Sequence, residues 1–123
     1  MDLTPFERAV LENLVKGDPE EEVLREQLKL AQVSSRDHTG LGVFVKLCIP
    51  ESAPHTRMTN RLLESTPMAH LRHPELTDGG MALLWFVEAH MSTLEFKASE
   101  GRWPMDESKF QIENHGFPDM RRG

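Results

Sequence analysis

The sequence has little cysteine and no long hydrophobic run. Cys48 is the single cysteine among 123 residues, which excludes an internal disulfide and a zinc site built from several cysteines. No apolar stretch approaches the roughly 20 residues of a membrane span, and no basic region followed by an apolar stretch comes after Met1. We therefore expect a cytoplasmic protein without a membrane segment. The length predicts one domain over residues 1–123, with a loose tail from about residue 116.

Positive charge is also scarce. The chain holds 14 lysines and arginines against 20 aspartates and glutamates, which gives a formal net charge of −6. Residues 1–31 and 75–123 each carry a net charge of −4, whereas residues 32–74 carry +2. An acidic chain repels phosphate backbones, and the basic middle has no interleaved aromatic residues for base stacking, so we expect no nucleic-acid partner. The acidity instead favours a basic protein partner.

Two helices are predicted at the start of the chain. Thr4 can cap the first helix, Pro5 suits its first position, and Glu7 can complete a capping box. Gly17 ends this helix, and Asp18 opens a second start signal that runs through three glutamates. Apolar residues recur at helical spacing in both segments. They are Phe6, Ala9, Val10, Leu14 and Val15 in the first segment, and Val23, Leu24, Leu28 and Ala31 in the second.

After the helices, the hydrophobic pattern changes to a period of two, which predicts strands. In the first strand we expect Ser34, Arg36 and His38 to lie on the face opposite Val33. Thr39–Gly42 is predicted to form the turn to the second strand. The predicted strands are Gln32–His38, Val43–Ile49, Met68–His73, Met81–Ala89, Ser92–Ala98 and Lys109–Asn114.

The segment Met81–Ala89 is the most apolar of the predicted strands. We expect it to be a central strand that is covered on both faces and holds Trp85 in the core. Pro74–Gly80 is predicted as a turn before it. Glu51–Thr66 is predicted as an irregular loop in which Thr59–Leu63 forms one helical turn.

The order of these elements predicts the fold class. Helices that precede a continuous series of strands indicate an α+β fold rather than alternating βαβ units. We expect two N-terminal helices packed on one face of a mainly antiparallel sheet of five to six strands. A small half-open barrel is the alternative. No internal repeat and no linker composition indicates a second domain.

Several residue pairs resemble metal-binding or catalytic patterns but lack the spacing that such sites need. His70 and His73 would point to opposite faces of a strand, and Glu88 and His90 share a face only where a hairpin should turn. Cys48 lies in an apolar strand, where a buried thiol is inert. We therefore expect no metal site, no cofactor and no catalytic residue, which argues against an enzyme.

Three stretches of the sequence carry a resemblance. Leu3–Leu11 reads LTPFERAVL, Leu24–Leu28 reads LREQL, and Arg36–Phe44 has the pattern R-x-x-T-G-x-G-x-F. With these stretches the chain resembles, over nearly its whole length, a family of small uncharacterised bacterial proteins. The resemblance implies a bacterial cytoplasmic protein, and it transfers no activity, cofactor or catalytic residue. The chain departs from the family pattern in Glu51–Thr66, which is longer and more polar.

Two classes of function remain open at this point. The first is a non-enzymatic protein-binding module, for example a toxin-neutralising immunity protein, that uses the Thr39–Gly42 turn, the Glu51–Thr66 loop and the rim around Trp103. The second is a small-molecule binder or hydrolase with a pocket between helices and sheet. Homodimerisation through a sheet edge is a third possibility. The candidate binding residues under these hypotheses are Arg36, His38, Thr39, Glu88, Glu95 and Trp103.

Overall fold

A computed structural model describes residues 1–57 and 68–113 of the chain. These residues form two helices, six strands and one 3-10 turn at Glu107–Lys109. The helices are α1 (Pro5–Val15) and α2 (Glu21–Leu30). The strands are β1 (Gln32–His38), β2 (Gly42–Cys48), β3 (Met68–His73), β4 (Leu76–Val87), β5 (His90–Ala98) and β6 (Gln111–Glu113).

The six strands form a single sheet in the order β1-β2-β5-β4-β3-β6, and all neighbours are antiparallel. The long strands β4 and β5 occupy the centre, while β1 and the three-residue β6 form the edges. Helices that precede an antiparallel sheet confirm the predicted α+β class with six strands. The sheet does not close into a barrel, because its two edge strands do not pair with each other.

The first helix begins as its sequence predicts. The Thr4 hydroxyl accepts a hydrogen bond from the Glu7 amide at 3.1 Å, and the Glu7 carboxylate accepts one from the Thr4 amide at 2.8 Å. Helix α2 begins later than its start signal, with Glu20 rather than Asp18 at the capping position. The Asp18 carboxylate accepts a hydrogen bond from the Glu20 amide instead, so it orders the turn between the helices.

Both helices pack on one face of the sheet, which we call the inner face. Fully buried residues of α1 and α2 meet alternate residues of the central strands there. No helix of residues 1–57 and 68–113 is long and apolar enough to cross a membrane. The core residues are Val10, Leu11, Leu14, Val15, Leu24 and Leu28 from the helices, with Val33, Val43, Val45, Leu71, Ala82, Leu84, Leu94 and Phe96 among those from the sheet.

A bulge in β1 overturns the predicted alternation of that strand. Val33 pairs with Leu47 and Ser35 pairs with Lys46, so Ser34 is an extra residue between them. The extra residue moves Arg36 to the same face as Val33, whereas strict alternation had placed it on the opposite face. Arg36 therefore points toward the helices.

Strand β4 also differs from its prediction. The predicted turn Pro74–Gly80 is wrong beyond Glu75, because β4 begins at Leu76 and pairs with β3 from there. Glycine allows this: Gly79 has φ +69°, and a Cβ atom on it would lie 2.5 Å from the Leu71 carbonyl oxygen. Between the pairs His73–Leu76 and Leu71–Gly80, β4 holds more residues than β3, so the extra residues form a bulge and the pairing resumes at Gly80.

The other strand boundaries that differ shift by one or two residues. The second strand begins one residue early, and His90 opens β5 rather than lying in a turn. The last strand is shorter than Lys109–Asn114, because the 3-10 turn takes up its first residues. The predicted helical turn Thr59–Leu63, the end of the Glu51–Thr66 loop and the loose tail from about residue 116 lie outside the described residues.

Candidate functional site: the open face of the sheet

Large apolar side chains lie on the face of the sheet that points away from the helices, which we call the open face. Trp85 is 36% exposed and Val87 is 56% exposed. The prediction that this strand is covered on both faces, with Trp85 in the core, is therefore wrong. In the described part of the chain both helices pack on the inner face, and neither covers this one. The apolar residues of the open face are Phe44, Met68, Met81, Leu83, Trp85 and Val87.

The strand register places these residues in continuous rows. One row crosses five strands through Asp37, Phe44, Glu95, Leu83 and Met68. Within the sheet, directly opposite side chains lie about 4.5–5.5 Å apart at Cβ, so the members of a row are in contact distance. The open face is thus one contiguous surface rather than a set of scattered exposed residues.

Trp85 is held in place by a polar contact on this surface. Its indole Nε1 donates a hydrogen bond to Glu95 Oε1 at 2.9 Å. The bond fixes the orientation of a large aromatic ring that is not buried. A fixed aromatic ring loses little conformational entropy on binding, which is one reason why tryptophan is enriched among residues that dominate interfaces.

The charges of the open face balance, unlike those of the whole chain. For residues 1–57 and 68–113, the register places three acidic and three basic side chains on it, and Arg72 Nε lies 2.8 Å from Glu113 Oε1. The net formal charge of the six is zero. The excess acid of residues 1–31 lies in and around the two helices, on the other side of the molecule. The six charged residues are Asp37, Lys46, Arg72, Glu95, Lys97 and Glu113.

One signal in the sequence could have revealed the open face. Strand β5 alternates polar Thr93, Glu95 and Lys97 with apolar Leu94 and Phe96, a pattern that is typical of a strand with one face toward solvent, although Thr93 itself is buried. Strand β4 pairs with β5, and the residues opposite the polar positions must share that solvent face. Because β4 is apolar at every position from 81 to 87, its own pattern does not show which side is exposed.

The β2 strand adds an exposed thiol to the same region. Cys48 alternates with Phe44 and Lys46, at the end of the strand, and is exposed. The expectation that it is a buried structural cysteine is wrong. The strand is buried on one side only, and Cys48 falls on the other.

A second cluster forms at the N-terminus of α1, around two of the predicted candidate residues. Arg36 Nε and Nη2 donate to the two carboxylate oxygens of Glu7, both at 2.7 Å, and Nη2 also donates to the Asp2 carbonyl at 3.1 Å. The Glu7 side chain is 2% exposed. This bidentate bond raises the pKa of Arg36 above its ordinary value.

Glu107 lies next to this ion pair. Its half-buried position raises the pKa of its carboxyl group, and the nearby Glu7 carboxylate raises it further, although the charges of Arg36 and His38 oppose the shift. His38 therefore lies near Arg36, as expected from their positions on the same predicted strand, Gln32–His38. Glu7 and Glu107 were not among the predicted site residues, because Glu7 fulfils a capping pattern and Glu107 is distant in sequence.

The cluster joins elements rather than presenting a free group to a ligand. Glu7 is engaged by the Thr4 amide and by Arg36 together, and Arg36 is engaged by Glu7 and the Asp2 carbonyl. These bonds attach α1 and the N-terminal residues to the edge strand β1. We interpret Arg36 as a structural anchor.

The predicted turn and the Trp103 rim lie side by side. The Trp103 amide donates to the Gly40 carbonyl at 2.9 Å, and the Thr39 hydroxyl accepts from the Gly42 amide at 3.2 Å. The Trp103 ring stacks with Phe96 and Phe110, at centroid distances of 5.5 and 4.7 Å. Trp103 therefore covers the end of the core.

The remaining candidate residues do not meet at one pocket. Glu88 is exposed in the β4–β5 turn at φ +50°, and Glu95 lies on the open face, away from Arg36 and His38. A shallow cavity of about 280 Å³ lies elsewhere, lined by residues that include Arg72, His73 and Lys109. None of the six candidate residues lines it. Over residues 1–57 and 68–113, no group of three or more metal-ligating side chains comes together.

Comparisons with known proteins add no assignment, because no protein-family model, curated protein or solved structure matches the chain at a significant level.

Proposed function

We propose that the protein is a non-enzymatic protein-binding module of the bacterial cytoplasm and that the open face is its binding surface. The observation that carries this proposal is the pair of exposed β4 residues, Trp85 and Val87, in an apolar patch with Met81, Leu83 and Met68. Soluble monomers rarely expose contiguous apolar patches of more than a few hundred Å², and larger ones mark interaction sites.

The composition of the open face supports this proposal. Aromatic residues and methionine are enriched in protein interfaces, and the open face contains two of each. Met68, Met81 and Trp85 adjoin Leu83, and Phe44 lies beyond Glu95 in the same row. Charged residues of both signs lie on the same surface, with Glu95 and Lys97 on the central strand β5 and Arg72 and Glu113 toward the β6 edge.

The alternative, a small-molecule binder or hydrolase, has no such support. Its pocket was expected between helices and sheet, where the described residues form a packed apolar core. Its polar residues are divided between the inner face, the β4–β5 turn and the open face. We therefore give it no further role in the proposal.

Site-specific photo-crosslinking in living cells tests the proposed function. A photoreactive amino acid replaces Leu83, at the centre of the open face. The expected result is one discrete adduct that contains another polypeptide, and the additional substitution Trp85→Lys should abolish it. The matched control places the same amino acid at Leu30, which is 44% exposed on helix α2.

Two outcomes of the crosslinking experiment would contradict the proposal. If position 83 yields no adduct, the open face does not contact a protein. If position 30 yields the same adducts as position 83, the crosslinking reports random encounters rather than a specific surface.

A further inference from the structure

We infer that the partner on the open face is a second copy of this chain, which packs sheet against sheet about a two-fold axis. This inference rests on the proposed function, because it names the occupant of the same surface. Three features support it: the charge of the open face, the distance between the two acidic helix layers in such a dimer, and the area of the open face.

The charge of the open face fits a copy of itself better than it fits a basic protein. A strongly basic partner would be attracted to the acidic helix side, where residues 1–31 carry −4. Among the described residues, the register places three acidic and three basic side chains on the open face, and their charges sum to zero. A surface without net charge does not attract a basic protein over long distances. It can lie against the same surface of a second copy without net electrostatic repulsion.

The sheet-to-sheet arrangement also solves the problem of bringing two acidic chains together. Each chain carries −6, so two copies repel each other when their helix sides approach. Packed sheets lie about 10 Å apart, and a helix layer about 10 Å thick covers each outer side. The two acidic layers are then roughly 30 Å apart, about three Debye lengths at 0.1 M salt. Their repulsion across the dimer is therefore largely screened.

The open face is large enough for a specific interface. Six strands spaced by about 4.8 Å span about 24 Å, and the β4 positions from Met81 to Val87 extend about 20 Å along the strand. Two such faces offer about 1,000 Å² in projection, which is the lower limit for a specific protein interface. The accessible area is greater than the projection, because the side chains stand out from the sheet.

The mass of the purified full chain in solution tests the inference. Size-exclusion chromatography with light scattering should give twice the chain mass of 14.1 kDa at micromolar concentrations. Trp85→Lys should raise the dissociation constant at least thirtyfold, because an aromatic hot spot is removed from both copies. Val87→Lys, at a more exposed position, provides a second variant with less influence on folding.

The matched control is Leu30→Lys, which changes an exposed apolar residue of the helix side by the same substitution. It should leave the dimer intact, and circular dichroism should show that all three variants are folded. A dimer that Leu30→Lys disrupts, while both open-face variants leave it intact, would place the interface on the helices and overturn the inference.

The outcome separates the two proposals. If the pure protein stays monomeric and position 83 crosslinks to a different protein in cells, the second copy is wrong and the protein-binding function stands. If it stays monomeric and position 83 crosslinks only within its own chain or not at all, both proposals are wrong. A photo-adduct of two identical chains supports both.

Discussion

Replacement of Gln27 by leucine should destabilise the protein strongly, although it changes the side-chain volume little. Gln27 is fully buried in α2. Its Nε2 donates to the carbonyls of Pro54 and Ala89 at 2.8 and 3.0 Å, and its Oε1 accepts from the Met91 amide at 2.9 Å. One amide thus joins the helix layer, the segment after β2 and the β4–β5 hairpin.

The magnitude follows from the groups that lose their partners. The Ala89 carbonyl keeps the hydrogen bond from the Thr56 amide at 3.0 Å, so losing its bond from Gln27 costs little free energy. The Met91 amide is left buried and unpaired, which costs about 1–3 kcal/mol, and the Pro54 carbonyl loses a bond worth about 1 kcal/mol. We therefore expect Gln27→Leu to lower the free energy of unfolding by about 3 kcal/mol.

Urea denaturation followed by circular dichroism measures this loss. The matched control is Gln32→Leu at an exposed position of β1, which should change stability by less than about 0.5 kcal/mol. Gln27→Glu adds a pH test: its buried carboxylate would have a raised pKa, so this variant should gain stability as the pH falls. A loss below about 1 kcal/mol for Gln27→Leu, or a loss equal to that of the control, would refute the reasoning.

Three further predictions concern other contacts. Arg36→Met leaves the buried Glu7 carboxylate without its cation and should lower the free energy of unfolding, measured by chemical denaturation, by about 3 kcal/mol. The double variant with Glu7→Gln should recover part of this loss, and a larger loss in the double variant would contradict a buried ion pair. Glu107→Gln should raise the melting temperature at neutral pH, because the folded state raises the pKa of the Glu107 carboxyl group. This gain in melting temperature should vanish as the pH falls below the ordinary pKa of the group, about 4.3, where the carboxyl is neutral in both the folded and the unfolded state. A gain that persists in acid would argue against burial as its cause. Gly42→Ala should prevent folding or shift β2, because its Cβ would lie 1.8 Å from a backbone oxygen of β5. The control Gly101→Ala has open space around its Cβ but a φ of +79°, so it should lower the free energy of unfolding by only about 1 kcal/mol in the same denaturation assay.

Local sequence signals predicted much of the secondary structure. The capping box of Thr4 and Glu7 appears as expected, because it depends only on residues three positions apart. The bounds of β1 and β3 coincide with their predictions, since each segment lies between clear breaks in the sequence. The start of β4 could not be predicted from Gly79 and Gly80, because glycines that mark a turn in isolation here allow a bulge inside a ladder.

The candidate site was predicted less well. Of the six candidate binding residues only Glu95 lies on the open face, where it accepts the hydrogen bond from Trp85. Arg36 was selected as a charged residue of a polar strand, and its partner Glu7 lies 29 positions away in sequence. No local pattern shows that such a pair will meet, so its role as an anchor depended on the fold.

The sequence by itself determined the positions of the two helices, most of the strands, the antiparallel α+β class and the uneven distribution of charge, because these depend on spacing and composition. Only the tertiary structure decided which side of β1 and of β4 meets solvent. Bulges at Ser34 and within the β4–β5 pair change that side partway along a strand, and the apolar residues of β4 acquire an exposed face only through their pairing with the polar face of β5. The charge is likewise divided in space: residues 1–31, in and around the helices, carry −4, whereas the charges of the described residues on the open face sum to zero.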